Sequence, residues 1–277
     1  METEAQQLVN AQGESLTVEQ AVANLRQTED TGLRYYAAWW LGRFRVAQPD
    51  AVDALIQALQ DESDRAPDGG YPLRRNAARA LGKLGQSCAV DPLIQCLACD
   101  DYYVRESAAH ALGALGDDQA IPALLNLLAG GAEAATPVEG KPHLVQPYNA
   151  ILEALGCLGA QSAVDDIRPF LGHPVAQVQN AAARAMYQLT GDDSYCQRLM
   201  ERLQEPNLQL RRSAMMDLGA IGYLPAAEPI AATLAENSLK LIALQGVLEA
   251  HLQEIRFPDA DLTPEAQRVL ALMDELL

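Results

Sequence analysis

Pairs of residues four apart, on segments that read as helix, carry the side chains best suited to chemistry in this chain. They are Tyr35 and Trp39, Arg75 and Arg79, Glu106 and His110, Asn149 and Glu153, Asn180 and Arg184, and Arg212 and Met216. Residues four apart lie one turn above each other on one helix face. The row begins aromatic, turns basic, then offers carboxylate and imidazole. Arg75 and Arg79 suit an anionic ligand, because a guanidinium grips a carboxylate through two parallel charge-assisted hydrogen bonds. Glu106 precedes His110 by one turn, so its carboxylate can hold the imidazole and favour the protonated form. His110 and Glu106 are therefore the candidate catalytic pair, as a general acid; the plainer alternative is a solvated surface pair. A tryptophan left in water forgoes roughly 150–250 Å² of burial, of order 4–6 kcal/mol at ~25 cal/mol/Å² as an upper bound. Trp39 is thus expected under a flat ligand or partner, or else under the N-terminal segment or the loop around Tyr71. Tyr102 and Tyr103 are expected in a turn at the same rim, as binding residues or as aromatics packing on their own helix. Glu153 offers an acceptor for ligand N–H groups.

What must position these residues is an internal repeat. LRYYAAWWLGRFR (from Leu33), LRRNAARALGKLG (Leu73), VRESAAHALGALG (Val104), PYNAILEALGCLG (Pro147), VQNAAARAMYQLT (Val178) and LRRSAMMDLGAIG (Leu210) are copies of one pattern, with a weaker copy, LKLIALQGVLEAH, at Leu239. Anchored on Arg34, Arg74, Arg105, Tyr148, Gln179, Arg211 and Lys240, the unit is about 31 residues. Two longer spacings coincide with DESDRAPDGGYP and GGAEAATPVEGKPH, Pro/Gly-rich insertions that read as loops within the array. Small and apolar residues fall three, four, seven and ten after each anchor, the stripe of a buried helix, as in Ala77, Ala78, Leu81 and Leu84. A shorter apolar helix follows each. Two helices per unit predict an all-α fold, an α-solenoid of about six to seven repeats, curved and capped at both ends.

As domains this reads as one solenoid over 1–277, with a flexible 1–14, a capping helix in 15–32, repeats over 33–255 and a final helix in 263–277. Thr17 to Gln20 form a capping box, and Thr263 with Pro264 opens the last helix. Its stripe of Val269, Leu272, Met273 and Leu276 is either a lid on the last repeat or a docking surface. Trp40 falls where other repeats carry Ala80, Ala111, Ala154 and Ala185, and is assigned to the core. The anchor arginines Arg34, Arg74, Arg105 and Arg211 are expected to be mainly structural, with Asp100 before Arg105 and Glu205 before Arg211 as acidic partners.

The formal charge is −17. So acidic a chain disfavours nucleic acid and anionic lipid as partners, and no apolar run reaches the ~18 residues of a membrane span. With no signal-peptide pattern at METEAQQLVNAQGES, the expectation is a cytoplasmic protein. The five cysteines are expected to be small buried thiols in a reducing compartment; Cys96 and Cys99 form a CxxC, but on a helix and without a second ligand pair. No GxSxG, phosphate-binding loop, dinucleotide fingerprint or EF-hand is present. No histidine is followed by Glu, which argues against the di-iron hydroxylases built on similar repeats.

The VR..AA.ALG.LG pattern resembles the HEAT repeats of bilin lyases, in which the helix carrying it lines the concave side. The stretch LTVEQAVANLRQTEDTGLRYYAAWWLGRFRV, above all RYYAAWWLG, resembles the E subunit of the E/F-type phycocyanobilin lyases. That resemblance implies a heterodimer with an F-type HEAT subunit. It implies a thioether joining phycocyanobilin to a cysteine of the phycocyanin α-subunit, with bilin as substrate and no cofactor. In that setting Arg75 and Arg79 would take the propionates, Glu106 or Glu153 would accept from pyrrole N–H groups, and Tyr35 and Trp39 would face a ring. His110 would be the proton donor. A non-catalytic adaptor gripping a protein in its groove, or a lyase or isomerase for another bilin, are the alternatives.

Overall fold

The computed structural model describes residues 16–254 and 262–277; the expected flexible 1–14 lies outside them. Among these residues there are sixteen α-helices and no β-strand, and the chain gathers into two units, Met1–Leu158 and Gly159–Leu277. The first contains α1 (Val18–Arg26), α2 (Thr31–Arg43), α3 (Pro49–Ala58), α4 (Pro72–Leu84), α5 (Val90–Cys96), α6 (Tyr102–Leu115), α7 (Ile121–Leu127), α8 (Gly131–Ala134) and α9 (Tyr148–Cys157). The second contains α10 (Val164–Ile167), α11 (Ala176–Thr190), α12 (Ser194–Arg202), α13 (Leu208–Ala220), α14 (Ala227–Ala232), α15 (Asn237–Glu254) and α16 (Pro264–Asp274). Long helices alternate with shorter ones, as the repeats require. The short helix of the fourth repeat is the least regular: α10 stops after one turn and gives way to 3₁₀ structure through Pro169.

Close approach of the long helices explains the ALG signature. A Cβ added at Gly42 would lie 2.8 Å from the Ala80 Cα, one at Gly82 2.8 Å from the Ala111 Cα, and one at Gly113 2.9 Å from the Ala154 Cα. Each glycine therefore receives the alanine of the next repeat. Trp40 occupies that alanine position in the first repeat, which has no earlier glycine to meet. The site is free to hold a large ring, and Trp40 is buried with the Phe44 ring tilted against it, centroids 5.0 Å apart.

The basic anchors are structural; Arg105, Arg211 and Lys240 bind backbone carbonyls rather than the expected acids, while Arg74 also pairs with the upstream Glu62 at 3.6 Å. Arg105 donates to the carbonyls of Cys99 (2.7 Å), Asp100 (3.1 Å) and Val145 (3.0 Å), and to the Gln146 side chain (2.9 Å). Arg211 donates to the carbonyls of Glu205, Pro206 and Leu234, and Lys240 to that of Ala231. Arg74 reaches the Asp61 carbonyl at 2.5 Å. The cause is the ending of each preceding helix, whose last carbonyls lack intrahelical donors and carry negative dipole charge. Arg34 combines both modes, with the Leu25 carbonyl at 3.2 Å and the Asp61 carboxylate at 2.8 Å.

Both ends are capped. Thr17 and Gln20 exchange side-chain and backbone hydrogen bonds as a capping box, and the Thr263 hydroxyl accepts from Ala266 N–H. In the second unit Val269 and Leu272 of α16 are buried and Met273 and Leu276 pack on the same cluster, so the stripe acts as a lid. No described helix is long and apolar enough to cross a membrane.

Candidate functional site: a groove on α2, α4 and α6

Three adjoining cavities lie along one face of the first unit. The largest, about 590 Å³, is walled by the two insertions and the start of α6; its lining includes Arg65, Arg75, Tyr102, Tyr103, Lys141 and His143. A second, about 160 Å³, shares Arg75 and Tyr103 with it and adds Tyr35, Pro72, Asn76 and Arg79. A third, about 450 Å³, shares Arg79 and adds Arg45, Gly82, Lys83, Ser107, His110, Ala111 and Ala114. Helix periodicity places them together. From α4 come 72, 75, 76, 79, 82 and 83 on one face, and from α6 come 103, 107, 110, 111 and 114 on another, with Tyr102 and Arg105 of its first turn lining the first cavity from the side. Pro72 to Lys83 span about 16 Å at 1.5 Å per residue.

Asp101 organises the first cavity. Its side chain is 4% exposed; Oδ2 accepts from Arg75 Nε at 2.8 Å and Nη2 at 2.7 Å, and from Tyr71 N–H at 2.8 Å. Oδ1 accepts from Tyr103 N–H at 2.9 Å, so the same carboxylate caps α6. The held guanidinium lies 4.7 Å over the Tyr103 ring. Arg65 and Arg74 both lie over the Tyr71 ring, at 4.3 and 4.1 Å, closing the first insertion onto α4. Tyr102 stacks on His143 of the second insertion, centroids 4.1 Å apart, and His143 Nδ1 lies 2.9 Å from the Leu144 carbonyl. Burial, then the neighbouring Glu106 and Tyr103, push the Tyr102 hydroxyl up to about 12, so it remains a neutral O–H.

Of the residues expected at the site, Tyr35, Arg75, Arg79, Tyr102, Tyr103 and His110 line these cavities. Tyr102 and Tyr103 stand in the first turn of α6 rather than in a turn before it, because Asp101 caps the helix there. Arg75 is committed to Asp101, whereas Arg79 is exposed and forms no ion pair among the described residues. His110 Nδ1 lies 3.8 Å from Glu153 Oε2, so α9 brings its carboxylate to the imidazole. Glu106 is half-buried beside Tyr102 and, like Glu153, is outside the three linings. Trp39 is 39% exposed with its ring stacked on Tyr36 at 5.5 Å, and it too lies outside them. In the second unit the row does not stay open. Asn180 is buried against α13, with its amide 3.5 Å from Ser213 Oγ; Arg184 pairs with Asp217 at 3.3 Å, and Arg212 pairs with Glu236. Lining residues that the repeat pattern misses are Arg65, Lys141 and His143, which sit in insertions, and Arg45 and Lys83.

Comparison with known proteins decides the family. HEAT repeats match residues 64–135 and 147–238, and the PBS lyase HEAT-like repeat matches 33–61. Phycocyanobilin lyase subunit alpha of Picosynechococcus sp. is 61% identical over 264 residues, covering 95% of this chain and 97% of that protein. The chain belongs to the phycocyanobilin lyase alpha-subunit family. The Synechococcus elongatus protein of the same name is also 61% identical, over 95% of this chain and 97% of its own length. The bilin biosynthesis protein PecE of Nostoc sp. is 45% identical, covering 86% of this chain and 88% of that one. Among solved structures, the complex of CpcE and CpcF of phycocyanin lyase from Nostoc sp. contains a chain with 56% identity and a TM-score of 0.87. That match covers 99% of this chain and all of the other.

The cysteines sit apart from the groove's chemistry. None is disulfide-bonded, and Cys88 and Cys157 are exposed where burial was expected, because both lie on the solvent side of their helical turns. Burial and the neighbouring Cys99 push the Cys96 thiol up to about 11, and burial pushes Cys196 up to about 12. Both stay protonated and unreactive near neutrality.

Proposed function

We propose that this chain is one subunit of a bilin lyase that joins phycocyanobilin to a cysteine of the phycocyanin α-subunit through a thioether. In this reading it works in the cytoplasm with a second HEAT-repeat subunit, the bilin is substrate, and no cofactor takes part. The observation that carries the reading is the groove itself: aromatic faces, an uncommitted arginine and an imidazole on adjoining faces of α2, α4 and α6 of a chain in this family.

The acceptor protein supplies the nucleophile, so none of this chain's cysteines has to react. Its sulfur adds to one carbon of the ring's ethylidene and a proton adds to the other, so atoms balance and nothing is oxidised. The chain's own work is to hold bilin and thiol in register, which lowers the barrier by removing orientational freedom. Tyr35 and Tyr103 flank a pyrrole ring, and Trp39 offers a further flat face at the rim. Arg79 grips a propionate, while Arg75, fixed by Asp101, sets the Tyr103 ring. Tyr102 donates its O–H to a ring carbonyl. Glu106 and Glu153 accept from pyrrole N–H groups, Glu153 also orienting His110. His110 delivers the proton.

The test is co-production of the chain with its partner subunit, phycocyanobilin and apo-phycocyanin α-subunit. Acid-stable pigment on the acceptor is the expected result, and pigment that washes off in acid would refute attachment. In the same system Arg79→Ala is expected to cut transfer at least tenfold with helicity unchanged.

A further inference from the structure

We propose that the cavity bounded by Arg45, Arg79 and Lys83 is a carboxylate-binding subsite that seats the acidic side chains of the bilin. The inference rests on the bilin reading above and assigns one end of that groove. Its lining carries three cations and His110 but no carboxylate, in a chain of net charge −17. None of Arg45, Arg79 and Lys83 forms an ion pair among the described residues. Four neighbouring arginines of the first unit are spent: Arg34, Arg74 and Arg105 on carbonyls, the first two also on ion pairs, and Arg75 on Asp101.

The backbone at Arg45 makes the case independently. α2 ends in a Schellman closure, with Val46 N–H returning to the Leu41 carbonyl at 3.0 Å and Arg45 N–H to the Gly42 carbonyl at 3.4 Å. The closing residue must be left-handed, and Arg45 has φ +52°. At the corresponding position the later repeats place Gly85, Gly116, Gly159 and Gly222, with φ between +62° and +72°. Glycine adopts this conformation without steric cost, whereas arginine does not. A strained residue that also aims a cation into a cavity points to function at that position.

The floor suits an amphiphilic pigment. Gly82, Ala111 and Ala114 are small and mostly apolar, and Gly82 leaves no room for even a Cβ against the Ala111 backbone, so the two helices pack closely beneath the cavity. A flat apolar body can rest there while two carboxylates reach the cationic rim. Arg79 lines both this cavity and the one holding Tyr35 and Tyr103, so it joins the acidic end to the ring-stacking end.

The experiment titrates phycocyanobilin and its dimethyl ester into the full-length chain with its partner subunit, following pigment absorbance. Wild type is expected to bind the free acid at least tenfold more tightly than the ester. Arg45→Gly and Lys83→Gln are expected to lose most of that preference while leaving ester affinity within about twofold. Because glycine suits the left-handed turn, Arg45→Gly should melt no lower than wild type, which keeps misfolding out of the result. Equal binding of acid and ester by wild type, or an unchanged acid preference in Arg45→Gly, overturns the subsite and leaves the bilin reading intact. Binding of neither pigment overturns both. Loss of subunit assembly in Arg45→Gly, with acid preference retained, would instead assign the cations to an acidic protein surface.

Discussion

Removing the Asp101 carboxylate should damage the groove in two separable ways. Asp101→Ala deletes the N-cap of α6, which costs about 1 kcal/mol. It also strands the Tyr71 N–H, now bonded at 2.8 Å, at a further cost of about 1–3 kcal/mol if no water reaches it. Arg75 loses its partner as well, but its side chain is 20% exposed and water can replace part of that bond. Allowing for non-additivity among groups that share one carboxylate, the sum is about 3 kcal/mol. Asp101→Asn keeps an oxygen for the backbone donors and loses only the charge and the forked grip on Arg75, so about 1–1.5 kcal/mol is expected.

Denaturant unfolding followed by far-ultraviolet circular dichroism gives both numbers. Pigment transfer, assayed well below either midpoint, then reports function alone. If Asp101 positions Arg75 and Tyr103, the Asn variant should fold and still transfer at least tenfold more slowly. Gly70→Ala should reproduce that defect, since its new Cβ would fall 1.9 Å from Arg75 Nη2 and displace the guanidinium. Wild-type transfer by folded Asp101→Asn, or a loss below about 0.5 kcal/mol in Asp101→Ala, would refute the reasoning.

Three other outcomes follow from the same coordinates. Gly82→Ala should lower stability by about 1–2 kcal/mol, since overpacking against the Ala111 backbone outweighs the roughly 1 kcal/mol gain in helix propensity; thermal melting checks it, and a raised melting point would contradict the close-packed ladder. Asp61 has its pKa held down: burial raises it, but Asp64 N–H, the Ser63 hydroxyl and Arg34 together more than offset that. Its stabilising effect is therefore present above the ordinary carboxylate range near pH 4 and is lost as pH falls through the lowered folded value; Asp61→Asn should flatten that acid limb in pH-dependent unfolding. A thiol-reactive dye at pH 8 should modify exposed Cys88 and Cys157 quickly, with Cys96 and Cys196 reacting at least about a hundredfold more slowly, read by mass spectrometry of the native protein.

The repeat was fully legible in the chain because side-chain size carries it. Gly42, Gly82 and Gly113 meet Ala80, Ala111 and Ala154, and both partners are written in the sequence. The exposed row was legible for the same reason through α2, α4 and α6. What the sequence conceals is anything whose partner is backbone. The carbonyls that bind Arg105 and Arg211 have no letter of their own, so an acid nearby looked like the partner. Asp101 reads as an ordinary helix cap, and only the folded insertion brings Tyr71 N–H to it across 30 residues. His143 lies in a Pro/Gly-rich loop without periodicity, so its stacking on Tyr102 depends wholly on tertiary structure. Arg45 could have been found: it is the one arginine standing where the repeat otherwise calls for glycine.

Counting arginines on a repeat face therefore misjudges its charge. An anchor guanidinium that donates to carbonyls at or just past the end of the preceding helix offsets their negative charge, and little of its field is left for a ligand. In the first unit that accounts for Arg34, Arg74 and Arg105, and Asp101 accounts for Arg75. Among the remaining cations, Arg79, Lys83 and Arg45 face one cavity beside His110. Arg79 stands on the exposed face of α4, where a polar side chain of either sign would fold as well, Lys83 also suits the last turn of that helix, and Arg45 occupies a turn where glycine would fold better. Stability does not select Arg79 or Arg45. An anionic ligand would, and the cavity they share is where it should be sought.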